Sequence, residues 1–294
     1  MAVQPKKTGY IVLGLAALLV LALCLCGCTQ APASAEKTPT PAAAGGIQSL
    51  SVTGSTTVLP IAQSAAEDYM DAHSNVDIKV SGGGSGVGVQ AIGEGTTDIG
   101  MSSRELTTEE TTKYPNLVVT TVAGDGIAVI VNPANTVNSL TLDQIKAIYQ
   151  ANITNWKEVG GPDETIVLIG RDSASGTRSF FTEMVLKKEN AAPTMLEQNS
   201  NGGVLLSVGQ TPGAIGYISI GYLTDSVKAL DLDANGNKIE PTVANVKSGQ
   251  YPISRPLLMI TQGAPQGLAK DYLDYIQSPE GQAIVAEEGY VSLT

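Results

Sequence analysis

A chain of 294 residues with a formal charge of −11 and a sequence pI of about 4.5 offers no basic face on which nucleic acid or anionic lipid would dock. Its three cysteines, Cys24, Cys26 and Cys28, crowd the amino terminus and His73 is its one histidine, so the remainder has no disulfide, no thiol nucleophile and no ordinary zinc ligand set. No metal and no cofactor is expected.

In chain order, Lys6 and Lys7 precede an apolar run from Ile11 to Leu25 that ends in Leu25-Cys26-Gly27-Cys28, the charged, apolar and small-residue order of a secretory signal. Leu-Cys-Gly-Cys resembles a lipobox, in which the last cysteine is acylated and begins the mature protein. Cys28 is that candidate, with residues 1–27 the lipoprotein signal peptide. The competing reading is an uncleaved membrane helix, since the run is near the lower limit of about 17 residues for a span. On either reading the rest of the chain faces outward. The composition from Thr29 to Gly46 turns to Ala, Pro, Thr, Ser and Gly, too poor in apolar surface to order itself, so 28–46 reads as a flexible tether. Loss of residues 1–27 removes Lys6 and Lys7 and no acid, and the formal charge moves to −13. Any anion held here is therefore held by local donors and not by the net field.

Beyond the tether, β-branched runs predict strands at 48–52, 76–80, 98–101, 117–122, 127–132, 165–169, 214–218 and 256–260. Helical spacing predicts helices at 59–72, 86–94, 107–113, 141–150, 178–188, 266–277 and 279–288. Strands alternating with helices indicate an α/β fold. His73 falls at the polar end of the first helix and reads as an exposed terminal residue, and Trp156 reads as core.

Three strand-to-helix junctions carry the same chemistry. Gly54-Ser55-Thr56-Thr57 precedes the helix opened by Pro60, Gly82-Gly83-Gly84-Ser85-Gly86 precedes the second helix, and Arg171-Asp172-Ser173-Ala174-Ser175-Gly176-Thr177 precedes the helix near 178. Ser-Gly-Thr before a helix is ordinary capping chemistry when it stands alone. Repeated three times beside a guanidinium, the set consists of hydrogen-bond donors at helix starts, the makings of an oxyanion cradle at the carboxyl ends of strands. Arg178 reads as a partner of Glu183 or a cap of its own helix. The apolar runs 126–131 and 255–260 read as two crossings between lobes, which gives 47–125 plus 255–294 as one lobe and 126–254 as the other. The junctions near Ser55 and Ser85 then lie on the first lobe, Arg171 on the second, and a ligand sits between them.

These residues resemble the PstS-like group, the substrate-binding lipoproteins of the phosphate ABC transporter, within the type II periplasmic binding protein fold. The resemblance covers essentially everything after the tether. Gly54-Ser55-Thr56-Thr57 is similar to that family's first anion loop, Ser85 matches its second, and Arg171-x3-Ser175-Gly176-Thr177, the most specific, matches its third. Asp98-Ile99-Gly100-Met101-Ser102-Ser103-Arg104, Ile153-Thr154-Asn155-Trp156 and Gly213-Ala214-Ile215-Gly216-Tyr217 also look like the family. The resemblance implies a two-lobed fold with two hinge crossings, capture of inorganic phosphate, presentation to ABC-transporter permease subunits, a monomer, and no catalysis. It implies attachment to the outer face of the membrane through the lipid alone. One departure stands out. Where the best-known branch has a carboxylate that accepts the proton of bound hydrogen phosphate, this chain has Ser103 followed by Arg104. Asp125 at the first crossing is the candidate replacement, and Arg104 a candidate second cation. Rival readings are a binding protein for sulfate, molybdate or tungstate, an adhesion or scaffold protein with an idle site, and, remotely, a hydrolase, for which a serine-directed histidine is lacking.

Overall fold

The computed structural model describes residues 46–294. The expected signal peptide, Cys28 and all but the last residue of the tether lie outside the described residues. Strand β1 (Gln48–Gly54) leads into helix α1 (Leu59–Ala72), opened by Pro60 in its first turn. Ile61, Ala62, Ala65, Ala66 and Tyr69 recur at helical spacing and form its buried face. His73 ends the helix, its ring stacked on Tyr69 and its Nδ1 2.8 Å from the Tyr69 carbonyl. Strand β2 (Val76–Gly82), helix α2 (Ser85–Gly93) and strand β3 (Ile99–Ser102) complete a parallel β2-β1-β3 core. Helix α3 (Thr108–Lys113) follows, started by a capping box between Thr107 and Glu110.

The separate strands expected at 117–122 and 127–132 are one strand, β4 (Leu117–Val131). Its Gly124-Asp125-Gly126 stretch has the composition of a turn but stays extended, because Gly124 exchanges backbone hydrogen bonds with Val291 and Asp125 is opposite Arg255 on the neighbouring strand. Strand β5 (Ser139–Leu140), helix α4 (Leu142–Tyr149), strand β6 (Val167–Arg171), helix α5 (Gly176–Met184), strand β7 (Leu196–Gln198), helix α6 (Asn201–Gln210) and strand β8 (Ala214–Ser219) follow. Helix α5 ends four residues before the expected 188, and Lys187 and Lys188 adopt left-handed backbone that no helix continues. Strands β9 (Lys228–Ala229), β10 (Asp231–Ala234) and β11 (Asn237–Ile239) and helix α7 (Val243–Lys247) are short. Strand β12 (Ser254–Gln262) then returns beside β4, and helices α8 (Gly267–Gln277) and α9 (Pro279–Glu287) close the chain.

The sheet runs β2-β1-β3-β12-β4-β8-β6-β7, with β9 also on β4. The first part of β4 pairs with β12 through Gly126, and the part from Ile127 pairs with β8, so the ladder changes partner within two residues of Asp125. The core divides at the same place. One apolar cluster is built from residues between Leu50 and Ala123 and between Leu257 and Tyr290, the other from residues between Ile127 and Ile253 together with Val291. Two lobes, each a sheet flanked by helices, are therefore joined by two adjacent antiparallel crossings. Trp156 is fully buried in the second cluster, its indole N–H 2.8 Å from the Gly213 carbonyl. Burial of a side chain of this size contributes about 1.5–3 kcal/mol.

Candidate functional site

Three strand ends of the first lobe and one of the second meet between the lobes. After β1, the Ser55 N–H donates to the Met101 carbonyl at 2.9 Å and the Ser55 hydroxyl accepts the Thr57 N–H at 3.2 Å, which folds the loop tightly over β3. Gly54 permits this, since a Cβ there would collide with the Met101 carbonyl and lie 2.9 Å from Gly88 Cα. Tyr290 and Tyr222 hold the loop from either side, donating to the Thr57 carbonyl at 2.8 Å and the Thr56 carbonyl at 2.7 Å. At the start of α2, the Ser85 hydroxyl accepts the Ser103 N–H at 3.0 Å, and the two hydroxyls are 3.3 Å apart.

In the second lobe, β6 delivers Arg171. Phe181 and Tyr217 stack at 4.0 Å beneath it, Tyr149 meets both edge-on, and the Tyr217 hydroxyl accepts the Arg171 N–H at 3.2 Å. Ser175 caps α5 by accepting the Arg178 N–H at 3.2 Å, so its own proton remains available to a guest. Gly176 lies against the first lobe. A Cβ there would collide with Ser85 Oγ and stand 2.9 Å from Ser103 Oγ. The Gly86 N–H donates across to the Ala174 carbonyl at 3.0 Å, so that helix start is partly spent on the facing lobe.

The centre is a set of hydroxyls saturated by N–H donors. Arg171 is 1% exposed, its Nε and Nη2 donate to the Gln198 and Asn199 carbonyls at 3.2 Å each, and Nη2 also reaches Thr56 Oγ1 at 3.3 Å. Asn201 Nδ2 donates to Thr56 Oγ1 at 3.3 Å and Thr57 Oγ1 at 3.0 Å, and the Ser219 N–H fixes the amide by donating to Oδ1 at 3.2 Å. Arg255 Nη2 donates to Thr57 Oγ1 at 3.3 Å and Thr177 Oγ1 at 3.0 Å. A hydroxyl has two lone pairs and one proton. Both lone pairs of Thr56 face N–H donors, so it can only offer its proton, while Thr57 Oγ1, which also faces two N–H donors, lies 3.2 Å from Thr177 Oγ1, so that its proton can go to Thr177 or to a guest. Burial pushes Arg171 below its ordinary range, Asp172 opposes this, and the nearby Arg255 adds to it. The Nη1 atoms of both Arg171 and Arg255 are buried without an acceptor. Such an arrangement is chemically suited to one guest, an oxyanion that accepts hydrogen bonds from all sides.

The structure brings Ser55, Thr56, Thr57, Ser85, Ser103, Arg171, Ser175, Gly176 and Thr177 together, all of them buried. Arg104 is not among them. Both its Nη atoms donate to the Glu110 carboxylate at 2.7 Å, and Nη1 also reaches the Glu105 carbonyl. Asp125 is fully buried, but it does not stand free as an acceptor. Its Oδ1 accepts from the Ser219 hydroxyl at 2.6 Å, and its Oδ2 accepts from Arg255 Nε and Nη2 at 2.9 and 2.8 Å. Burial pushes this carboxyl above its ordinary value, and Arg255 and Ser219 pull against it. Arg178 pairs with Glu197 and the Arg171 carbonyl, not with Glu183. Asn201 and Arg255 escape the sequence reading. For Asn201 the available signal is Ser200, an N-cap before Val204, Leu205 and Val208, masked by two glycines with low helix propensity. For Arg255 it is a lone charge opening an apolar strand.

A family profile described as a PBP superfamily domain matches residues 39–280. Among curated relatives, the phosphate-binding protein PstS of Bacillus subtilis is 39% identical over 248 residues, 84% of this chain and 81% of that protein. The PstS of Borreliella burgdorferi is 32% identical over 83% of this chain and 90% of its own. The chain belongs to the PBP superfamily and, inside it, stands with the PstS proteins. A substrate-binding protein of a phosphate ABC transporter from Clostridium perfringens, solved with bound phosphate, superposes with a TM-score of 0.79 at 38% identity, over 84% of this chain and 100% of that one. An ABC-type phosphate transport receptor from Vibrio cholerae gives 0.69 at 35% identity, over 82% and 99%.

Proposed function

We propose that this protein is an extracytoplasmic binding protein that captures inorganic phosphate between its lobes and presents it to the permease subunits of an ABC transporter. The observation that carries this reading is the buried Arg171 guanidinium, one edge spent on carbonyls and the Thr56 hydroxyl and Nη1 left without an acceptor amid donors from both lobes. Residues 47–125 with 255–294 form the first lobe and 126–254 the second. Thr56, Thr57, Ser85 and Ser103 donate from the first, and Arg171, Ser175, the Gly176 N–H and Thr177 from the second. Charge-assisted hydrogen bonds offset the cost of stripping water from the anion, and no bond is made or broken. No imidazole stands in the cluster, since His73 is the sole histidine and is stacked on Tyr69 at the end of α1. The PstS relatives and the phosphate-bound neighbour from Clostridium perfringens support the same ligand.

With Asp125 engaged by Arg255, the proton of hydrogen phosphate falls to a neutral hydroxyl. Ser85 and Ser103, adjacent at 3.3 Å, are the pair that can both donate and accept. Parallel calorimetric titrations of the purified protein with phosphate, sulfate and molybdate test the assignment. Phosphate is expected to bind most tightly, and equal or preferential sulfate binding would remove phosphate as the ligand while leaving the fold intact. The protein works as a monomer held to the outer face of the membrane by acylated Cys28. Cys28→Ser should release it into the soluble fraction, and persistent membrane association would instead indicate an uncleaved amino-terminal helix.

A further inference from the structure

Arg255 opens β12 at the second lobe crossing, opposite Asp125 on the first. Both side chains are fully buried. If this ion pair served only to lock the crossings, the whole guanidinium would be expected to serve it. Only one edge does. Nε and Nη2 reach Asp125, but Nη2 also turns to Thr57 Oγ1 of the first lobe and Thr177 Oγ1 of the second, and Nη1 is buried with no acceptor. Arg171 shows the same division, with Nη2 on Thr56 Oγ1 and Nη1 unmatched. A buried N–H of a cation left without an acceptor is costly, so two of them on guanidiniums that touch adjacent threonines call for a shared acceptor. Charge points the same way. Two buried guanidiniums meet one buried carboxylate, Asp125, with Asp172 half-buried beside Arg171.

We propose that Arg255 is a second guanidinium donor to the captured oxyanion, carried on the lobe crossing and oriented by Asp125. This rests on the phosphate-capture reading. Asp125 is then a positioning residue: it holds Nε and Nη2 so that Nη1 is aimed at the anion, and the Ser219 hydroxyl holds Asp125 in turn. Because Nη2 bonds Thr57 and Thr177 at once, the guanidinium reaches this geometry only when the two lobes are together. Ligand charge, lobe closure and the strand crossing are thereby joined in one side chain.

The test is calorimetric titration of inorganic phosphate into the purified wild-type protein, Arg171→Ala, Arg255→Lys, and the double variant Asp125→Asn with Arg255→Gln, each checked by thermal melting. Arg255→Lys keeps a cation on Asp125 but cannot supply a second, separately aimed N–H edge. The double variant removes the ion pair as a unit and leaves no uncompensated buried charge. Both should bind phosphate about tenfold to a hundredfold more weakly than wild type, the loss of one charge-assisted hydrogen bond. If wild type does not bind phosphate, or Arg171→Ala binds as wild type does, the capture reading itself fails. If wild type binds, Arg171→Ala does not, and Arg255→Lys stays within about threefold of wild type, Arg255 is a structural lock and the inference is overturned. A folded double variant with wild-type affinity overturns it equally, and should that variant fail to fold, Arg255→Lys decides alone.

Discussion

Asn201 donates one amide proton towards each of two neighbouring threonine hydroxyls, and this makes Thr56 and Thr57 donors in a way their own chemistry does not. Asn201→Ala should therefore weaken phosphate binding about tenfold, as the hydroxyls regain the freedom to point elsewhere. Asn201→Asp should be worse, because a carboxylate would draw both hydroxyl protons away from the guest. Titrations that rank the two variants in the opposite order would show that the amide acts only as packing. Arg171→Ala removes hydrogen bonds to the Gln198 and Asn199 carbonyls as well as the proposed ligand contact, so it should lower stability by about 1–3 kcal/mol besides abolishing binding. A melting curve unchanged from wild type would contradict the first part. Away from the site, burial raises the Glu110 carboxyl, but hydrogen bonds and charge from Arg104 and the Thr107 N–H more than offset it, so the group titrates below its ordinary value. A depressed carboxylate contributes stability that is present above its unfolded pKa and lost as pH falls through its folded one. Glu110→Gln should accordingly flatten the acid limb of the stability profile, and denaturant melts across that limb that superpose on wild type would refute it.

At the scale of elements, α5 meets the first lobe through a glycine because nothing larger fits. Gly176→Ala drives a methyl group into Ser85 Oγ, so the variant should fold normally and bind phosphate at least about tenfold more weakly, having lost close approach of the lobes. Undiminished affinity would place the ligand elsewhere. This junction was legible in the sequence, because arginine, serine, glycine and threonine between a β-branched run and an amphipathic helix specify both geometry and chemistry locally. The strand run-through at Gly124-Asp125-Gly126 was not. Its composition is that of a turn, and only Val291 and Arg255, far off in sequence, hold it extended. Helix α6 was hidden for a related reason. Gly202 and Gly203 weaken its first turn, and they outweigh the local signal of the Ser200 hydroxyl that caps it by accepting the Gly203 N–H. Asn201 lies on this hidden helix, whereas Arg255 heads β12, a strand that is itself legible in the sequence. The second crossing is legible as an apolar run, but an arginine at the head of an apolar strand gives no sign of which side its charge will face.

At the scale of the whole molecule, one long strand and its antiparallel neighbour join two separate cores, and the buried Asp125–Arg255 ion pair sits where those strands cross. A protein whose formal charge is −11 can hold an anion only through cationic groups that are local and shielded, and Arg171 and Arg255 are buried guanidiniums of the kind the proposal requires. On the proposed reading, donors from both lobes make capture and closure the same event, since neither lobe alone would satisfy a tetrahedral guest. The most direct test is to grow crystals of the protein with arsenate, a heavier analogue of phosphate, and to locate it by anomalous scattering. A single arsenic peak is expected between the lobes, placed so that the arsenate oxygens around it lie within hydrogen-bond distance of Arg171 Nη1 and of hydroxyls from both lobes. A peak bound to one lobe only, or remote from Arg171, would contradict it.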